Sequence, residues 1–382
     1  MIVLSLFDGM SCGQQALERS GIKVDKYFAS EIDKYAIKVT MANYPETIQL
    51  GSVTQINGYD LPKIDLLIGG SPCQSFSFAG KRKGMSTKDE QEILTLEHYI
   101  ELKKQDYEFE GQSYLFWEYM RILNEVKPTY FLLENVIMSE KWEKILSKAI
   151  GVNPIEINSA LVSAQNRRRL YWTNIGMKSA GLFGDMESII KQPKDKGILL
   201  KDILENDIDE KYYLSQKMIN KINRSNNAEK CFNNNEKSMC LAAGYYKQGR
   251  DNQYIVHNMM PRSSTNGNGG SGHLTRIDGK TYCLDTGNTN AVEIFGGDFR
   301  FDEGSRWRKN GKSSTLNTNG NSSGSAIAKI NSKIRRLTPV ECERLQTVKD
   351  NYTNYVSDSQ RYKMLGNGWT VDVISHILNY IK

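Results

Sequence analysis

The first 175 residues alternate short apolar runs with stretches of helical spacing, and this alternation constrains the fold most strongly. Apolar runs of strand length occupy residues 2–7, 27–31, 64–69, 130–134, 155–160 and 170–175. Helical spacing of apolar side chains fills residues 14–20, 34–43, 114–126 and 140–148. Strands that alternate with helices predict an α/β doubly wound fold, in which helices cover both faces of a mostly parallel sheet.

The middle of the chain breaks this alternation. From residue 178 to 333, Asn, Gly and Ser dominate and apolar runs are short, whereas helical spacing returns after residue 334. We therefore predict one α/β domain built from residues 1–177 and 334–382, interrupted by a smaller β-rich domain at residues 178–333. The interrupting segment holds 23 Lys and Arg against 17 Asp and Glu, while the rest of the chain is balanced. This excess of positive charge indicates a polyanionic partner.

Three stretches of the interrupting segment are similar to one another. Residues 237–244, 280–287 and 312–319 each begin with Lys and carry Leu at the fifth position. We interpret them as repeated strand-and-turn units, with chance similarity in a biased composition as the alternative.

Several classes of protein are excluded by what the sequence lacks. The opening apolar run has no basic flank or cleavage site, and no apolar stretch reaches the roughly 18 residues of a membrane span. The six cysteines follow neither a disulfide framework nor a metal-ligand spacing. We therefore expect a cytoplasmic protein with free thiols and without a membrane or metal partner.

A cysteine follows one of the predicted buried strands. Cys73 lies in the sequence Gly-Gly-Ser-Pro-Cys-Gln at residues 69–74. Reactive groups of α/β enzymes occupy such strand ends, although a cysteine taken alone is more often a small buried hydrophobic residue. As a thiolate, Cys73 could attack carbon 6 of a pyrimidine, which would make carbon 5 nucleophilic enough to accept a methyl group.

One acid and two cations lie at the ends of other predicted strands. Thiolate addition builds negative charge on the ring, so an acid is needed near N3, and Glu134 ends a buried strand of the same sheet. Burial there favours the protonated carboxyl group. If Arg169 begins a strand, Arg167 shares its face, and the pair could aim at a base carbonyl and neighbouring phosphates. A helix-capping glutamate and a solvated charge run are the alternatives.

The first predicted strand leads into a glycine-containing loop, Phe-Asp-Gly-Met-Ser-Cys-Gly at residues 7–13. Its glycines permit close approach of a nucleoside, but their spacing is not the dinucleotide fingerprint. Glu31 ends the second predicted strand, where it is placed to accept hydrogen bonds from ribose hydroxyls. The loop and the acid together indicate a nucleoside cofactor without identifying it.

Seven motifs, taken in order, resemble those of the cytosine-5 DNA methyltransferase family. They cover nearly the whole first domain and the C-terminal segment, at residues 7–9, 31, 71–74, 134–136, 165–169, 336–346 and 366–371. The first and last of them are most similar to the branch that contains the animal de novo enzymes. The resemblance implies a Rossmann-like catalytic domain and a DNA cytosine-5 methyltransferase that takes its methyl group from S-adenosylmethionine.

The resemblance also implies roles for individual residues. Cys73 would be the nucleophile, Glu134 would contact N3 and the exocyclic amine, and Arg167 with Arg169 would support the base and the catalytic loop. Phe7 would stack on the cofactor adenine, Glu31 would bind its ribose, and Asn367 with Trp369 would close the pocket. The full cofactor pocket would consist of Phe7, Asp8, Gly9, Glu31, Ile32, Ser52, Val53, Pro72, Asn367 and Trp369.

The same family implies the partners. The substrate would be double-stranded DNA from which the target cytosine is flipped out, and residues 178–333 would be the target-recognition domain. We expect a bacterial or phage-encoded enzyme that acts as a monomer, and a partner restriction endonuclease is left open.

Two departures from the family pattern stand out. The acid that usually follows the third strand and holds the adenine amine is replaced by Ser52. The stretch at residues 86–110 is longer than usual, and its acidic part at residues 89–98 has helical character, so we expect it to face away from DNA. A tRNA cytosine methyltransferase is the nearest alternative function, and the long interrupting segment argues against it. An inactive DNA-binding protein is another alternative. The presence of Cys73, Glu134, Arg167 and Arg169 argues against it.

Overall fold

The computed structural model describes two compact units of the chain. The described residues are 1–72, 85–89, 91–180, 185–215, 231–232, 237–238, 240–247, 254–261, 273–276, 297–300, 304–307 and 332–381. Cys73 and the segments 280–287 and 312–319 lie outside them. The first unit comprises Met1–Glu205, Lys237–Asp251 and Thr338–Lys382, and the second comprises Asn206–Glu236 and Asn252–Leu337. The limits of the predicted target-recognition domain, residues 178–333, stay a prediction.

A seven-stranded sheet organises the first unit. Its strands are β1 (Ile2–Leu6), β2 (Lys26–Ser30), β3 (Ile48–Gln49), β4 (Leu66–Gly70), β5 (Tyr130–Val136), β6 (Ile155–Asn158) and β7 (Arg168–Thr173). The order across the sheet is β3-β2-β1-β4-β5-β7-β6. The pairs from β3 to β5 are parallel, and β7 runs antiparallel to both β5 and β6. The order reverses between β1 and β4, which is where doubly wound sheets bind ligands.

Helices cover both faces of this sheet. In the described part of the chain they are α1 (Cys12–Arg19), α2 (Lys34–Asn43), α3 (Leu96–Lys104), α4 (Phe116–Val126), α5 (Glu140–Ile150), α6 (Pro339–Leu345), α7 (Asp358–Asn367) and α8 (Val371–Leu378). On one face, Leu67 of β4 is buried with Trp117 of α4. The next residue, Ile68, points to the other face. There it meets Gly13 of α1 so closely that a Cβ atom at Gly13 would lie 2.5 Å from its side chain. The predicted fold class is therefore confirmed.

The long stretch before α4 is fastened to that helix. α3 begins at Leu96, later than the helix predicted at residues 89–98, because residues 86, 87 and 92 form β-bridges instead. The Tyr99 hydroxyl and the Lys103 ammonium each contact Glu118 Oε1 at 2.5 Å. Glu118 is fully buried in α4, so these bonds satisfy a charge that would otherwise be costly. The orientation of this stretch toward DNA stays a prediction.

The remaining described strands form smaller sheets. In the first unit, β8 (Met177–Ala180) and β9 (Asp185–Ser188) make a hairpin. In the second unit the strands are β10 (Cys231–Phe232), β11 (Tyr254–Pro261), β12 (His273–Arg276), β13 (Gly297–Arg300), β14 (Gly304–Trp307) and β15 (Ser332–Arg336). β10, β11, β12 and β15 share one sheet, and β13 pairs with β14. The described part of the second unit is thus mainly β-structure.

Two further findings concern the described residues only. Among them, no helix combines the length and the apolar character that crossing a membrane requires. Within the same residues, no three His, Cys, Asp or Glu side chains are grouped so as to hold a metal ion.

Candidate active site

The turn after β1 is held in an unusual backbone conformation. Phe7, Gly9 and Ser11 have φ angles of 57°, 60° and 58°, in the left-handed region that favours glycine. Such strain at a strand end persists only where surrounding contacts enforce it, and it is typical of functional sites.

Glu31 supplies some of these contacts. The Gly9 N–H donates to Glu31 Oε2 at 2.8 Å, and the N–H groups of Ile32 and Asp33 donate to Oε1 at 2.7 and 2.8 Å. The carboxylate thereby ties the β1 turn to the end of β2. A carboxylate has about four acceptor sites, so one remains for a ligand.

A cleft of about 660 Å³ opens at this edge of the sheet. Every residue predicted for the cofactor pocket lines it, namely Phe7, Asp8, Gly9, Glu31, Ile32, Ser52, Val53, Pro72, Asn367 and Trp369. Of the predicted catalytic residues, Glu134, Arg167 and Arg169 line the same cleft. Lining residues without a predicted role include Ser71, Gln112, Leu115, Asn135, Gln360 and Lys363.

Two residues of the cleft are placed to meet a ligand. Ile32 is 71% exposed although it is a large apolar residue, so a flat apolar ligand would cover surface that water now contacts. Ser52, which stands where the family has an acid, caps a short 3₁₀ turn through its hydroxyl, 2.8 Å from that of Thr54.

Glu134 is fixed at the other end of the cleft by two partners. Its Oε1 lies 3.0 Å from Arg169 Nε, and its Oε2 accepts a hydrogen bond from Trp369 Nε1 at 3.2 Å. Gly70, at the end of β4, leaves room for this arrangement, since a Cβ atom there would lie 2.8 Å from the Trp369 nitrogen. The buried acid is therefore held by residues from β7 and from the loop before α8.

The residues just before Cys73 are also anchored. Asn135 Nδ2 donates to Ser71 Oγ at 3.0 Å, and both side chains are buried. This bond joins the end of β4 to β5 directly beside Glu134. Sequence reasoning included both residues in motifs but gave them no role, because neither carries reactive chemistry.

The arginines occupy opposite faces of β7 as the strand period predicts. Arg168 is exposed and pairs with Glu156, whereas Arg167 and Arg169 face the cleft. That Arg167 aims at a base carbonyl and neighbouring phosphates stays a prediction. Its guanidinium is buried and donates to the carbonyls of Leu241, Gly366 and Gly368 at 3.3, 3.3 and 2.9 Å. Arg167 therefore joins its own segment to those of Leu241 and Gly366 at the wall of the cleft.

The contact of Gly366 with residues 242 and 243 leads to a first prediction. A Cβ atom at Gly366 would lie 2.3 Å from the backbone nitrogen of Ala243 and 2.4 Å from the carbonyl carbon of Ala242. Gly366→Ala should lower the free energy of unfolding by about 1 to 3 kcal/mol, because backbone must move to admit the methyl group. Chemical denaturation measures this loss. Gly244→Ala is the matched control, since a Cβ atom there meets nothing within 4 Å, and equal losses in both variants would contradict the prediction.

Asp8 provides a pH-dependent prediction. Burial raises the pKa of Asp8 from 3.8 to about 6, although hydrogen bonds from Ser11 and Tyr27 lower it in part. Between these two pH values the folded protein binds a proton that the unfolded chain has lost, so the free energy of unfolding falls as the pH rises from 3.8 to about 6. The free energy of unfolding of Asp8→Asn, minus that of the wild type, should increase by about 2 kcal/mol from pH 4 to pH 7. This figure allows for the partial exposure of Asp8 to the cleft. Urea unfolding at both pH values measures this change, and Asp60→Asn, at an exposed residue, is the control. A difference in free energy of unfolding between Asp8→Asn and wild type that is the same at both pH values would contradict the prediction.

The doubly wound fold, with a cleft at the carboxyl ends of its strands that contains the buried Glu134, is that of an α/β enzyme. The family model for C-5 cytosine-specific DNA methylases matches residues 1–382, and the chain belongs to this family. It is an S-adenosylmethionine-dependent DNA cytosine methyltransferase, as the order of its motifs predicted.

Relatives in bacteria and phages match over most of their length. The orphan methyltransferase M.SPRI of Bacillus phage SPR is 29% identical over 455 residues, covering 98% of this chain and 96% of the relative. The orphan methyltransferase M.SPBetaI of Bacillus phage SPbeta is 30% identical, with the same coverage. The type II methyltransferase M1.ScrFI of Lactococcus lactis subsp. cremoris is 30% identical over 72% of this chain and 68% of its own length.

Solved structures share the fold at lower identity. A mutant of Spodoptera frugiperda DNMT2 has a TM-score of 0.58 at 21% identity, covering 99% of this chain and 98% of its own. The Entamoeba histolytica methyltransferase EhMeth has a TM-score of 0.59 at 16% identity, covering 100% and 97%. At this identity the likeness concerns the fold alone.

Proposed function

We propose that this enzyme methylates carbon 5 of a cytosine flipped out of double-stranded DNA, with Cys73 as the covalent nucleophile. The observation that carries the proposal is the placement of Glu134. Its carboxylate is held between Arg169 and Trp369 in the same cleft as the strained turn at residues 7–11. An acid that could protonate a base and a turn that could hold the nucleoside of the cofactor lie in one cleft, and this arrangement suits methyl transfer to a base.

The residues of the cleft fit S-adenosylmethionine. Its volume lies within the range of small-molecule sites. Phe7 and the exposed Ile32 would hold the adenine, the remaining acceptor site of Glu31 would take a ribose hydroxyl, and Asn367 with Trp369 would close the pocket. The Ser52 hydroxyl would accept from the adenine amine in place of an acid. When bound, the cofactor supplies a methyl group on a positively charged sulfur, a charge opposite to that of ionised Asp8.

The protein side of the reaction follows from the cleft. The thiolate of Cys73 would form a bond to carbon 6 of the cytosine, and the electron pair of the ring double bond would shift toward carbon 5 and N3. Glu134 would hold a proton at N3 and so neutralise that charge. Carbon 5 would then take the methyl group, and the electron pair of the broken sulfur–methyl bond would stay on the sulfur, which would leave as a neutral thioether. Loss of the proton on carbon 5 to a base would return the electron pair to the ring double bond and expel the thiolate.

Recognition of DNA would fall to the interrupting segment. Residues 178–333 hold the whole net positive charge of the chain, so phosphate contacts there would make binding sensitive to salt. Extrusion of the target base costs a few kcal/mol, which contacts with the duplex must offset. We expect the enzyme to act as a monomer in the cytoplasm. Since its relatives include orphan and type II methyltransferases, pairing with a restriction endonuclease stays an open proposal.

Transfer of a labelled methyl group tests the proposed function. The purified enzyme should label unmethylated duplex DNA and leave tRNA unlabelled, and bisulfite sequencing should place the modification on cytosine within one sequence. Labelling of tRNA alone would assign the enzyme to RNA. No labelling of any DNA or RNA would favour an inactive DNA-binding protein.

A further inference from the structure

Cys240 lies beside Arg167 and Arg169, two residues that line the cleft, although more than 60 residues of sequence separate it from β7. The backbone around it is fixed to the residues before that strand. The Ser238 N–H donates to the Ala164 carbonyl at 2.7 Å, and the Asn166 N–H donates to the Ser238 carbonyl at 2.8 Å. On the other side, the Leu241 N–H donates to Gln165 Oε1 at 3.3 Å. These bonds bring the sulfur of Cys240 to the two arginines that line the cleft.

The sulfur accepts hydrogen bonds from both guanidinium groups. Arg167 Nη1 lies 3.2 Å from Cys240 Sγ, and Arg169 Nη2 lies 3.7 Å from it. Burial raises the pKa of the Cys240 thiol, but the charges and hydrogen bonds of the two arginines lower it by more, so the net shift is downward. A sulfur with more thiolate character is the stronger acceptor for a guanidinium.

Arg169 links this sulfur to the acid of the site. Its Nη2 donates to Cys240, its Nη1 donates to the Arg168 carbonyl at 2.8 Å, and its Nε lies 3.0 Å from Glu134 Oε1. A planar guanidinium with acceptors along its rim has a fixed orientation. The direction of the Nε–H toward Glu134 therefore depends on what the other nitrogens bind.

We propose that Cys240 is a positioning residue for the methyl transfer, which sets the orientation of Arg169 and through it that of the Glu134 carboxyl group. This rests on the function proposed above. Cys240 as a whole residue is exposed, and only its sulfur is covered, by the two arginines, so packing in a core does not account for its place. Arg167, which also contacts the sulfur, keeps three carbonyl acceptors without it, so the loss of the sulfur acts mainly through Arg169.

This role is tested by substitutions that distinguish the sulfur's function as a hydrogen-bond acceptor from the space that the Cys240 side chain fills. Cys240→Ala and Cys240→Val both remove the acceptor, and Val also fills the space, whereas Cys240→Ser keeps a polar acceptor. Both apolar variants should lower kcat for DNA methylation by about 10-fold, the effect of one charge-assisted hydrogen bond. KM for S-adenosylmethionine and the melting temperature should stay near the wild-type values. Cys240→Ser should recover most of kcat, and Gly244→Ala in the same segment should behave as wild type.

A double-mutant cycle locates the effect on Arg169. In an Arg169→Lys background, Cys240→Ala should change kcat by less than about twofold, because the guanidinium that donates a hydrogen bond to the sulfur is absent. Unchanged kcat in both apolar variants, loss without rescue by Ser, or an undiminished effect in the Lys background would each overturn the proposal. If wild-type enzyme methylates no DNA, the proposed function fails and this inference falls with it. If wild type is active and the apolar variants are equally active, only the role of Cys240 fails.

Discussion

Replacing Cys73 by serine is expected to lower the rate of DNA methylation by on the order of 10⁴-fold or more, because a neutral hydroxyl is a far weaker nucleophile than a thiolate. The substitution removes one sulfur atom and adds no bulk. Ser71 and Pro72, which precede this residue, line the cleft, and Ser71 is anchored by Asn135. The described backbone that leads to this residue is therefore held by contacts other than those of the reactive group. Single-turnover methyl transfer from labelled cofactor measures the effect.

Binding measurements separate loss of chemistry from loss of structure. The Cys73→Ser enzyme should keep the wild-type affinities for duplex DNA and S-adenosylmethionine within a few-fold, and its melting temperature should be unchanged. Activity within tenfold of wild type would remove Cys73 from the nucleophilic role. If the Cys73→Ser enzyme were unfolded, Cys73→Ala would replace it in these measurements, and the same results are expected.

Replacing Glu134 by glutamine should lower kcat by on the order of 10²-fold or more, because an amide cannot deliver a proton to N3 as charge develops on the ring. Glutamine preserves the shape of the side chain and can still accept from Trp369 Nε1, which now lies 3.2 Å from Oε2. The ion pair with Arg169 is replaced by a neutral contact. We therefore expect the loss to appear in kcat more than in the affinity for S-adenosylmethionine.

The adjacent strand pair offers a matched control. Glu156 of β6 pairs with Arg168 of β7, the residue before Arg169, at 2.5 Å, and both side chains are exposed. Glu156→Gln breaks a carboxylate–guanidinium pair of the same type outside the cleft, where exposed pairs contribute little. This variant should stay within about twofold of wild type. If Glu134→Gln kept comparable activity, the acid would have no part in proton transfer.

Much of the fold was predictable from sequence because parallel strands are buried on both faces. Such strands appear as continuous apolar runs, and β1, β2, β4 and β5 each lie within two residues of the predicted bounds. The side chains at their carboxyl ends were predictable for the same reason. Glu31 and Glu134 stand out as acids that end apolar runs, and both line the cleft. The two-residue period of β7 likewise assigned Arg168 to the face opposite Arg169.

The contributions of distant segments were not predictable. Cys240 reaches the arginines because backbone hydrogen bonds join residue 238 to residues 164 and 166. No local sequence pattern predicts such a long-range pairing. The helix expected at residues 89–98 from the helical character of this acidic stretch was also misplaced. Thr95 caps α3 by accepting from the His98 N–H at 3.2 Å, so the helix begins only after it. Capping and bridging bonds of this kind override local propensity.

Trapping the reaction on DNA that carries 5-fluorocytosine at the target position tests the covalent mechanism most directly. With fluorine at carbon 5, the proton that must leave is missing, so the bond between sulfur and carbon 6 should persist. We predict a denaturation-resistant complex of one protein with one DNA, formed only with S-adenosylmethionine, in which mass spectrometry locates the DNA on the peptide that contains Cys73. An adduct on another cysteine, such as Cys240, or no adduct from an enzyme that methylates ordinary DNA, would contradict the mechanism.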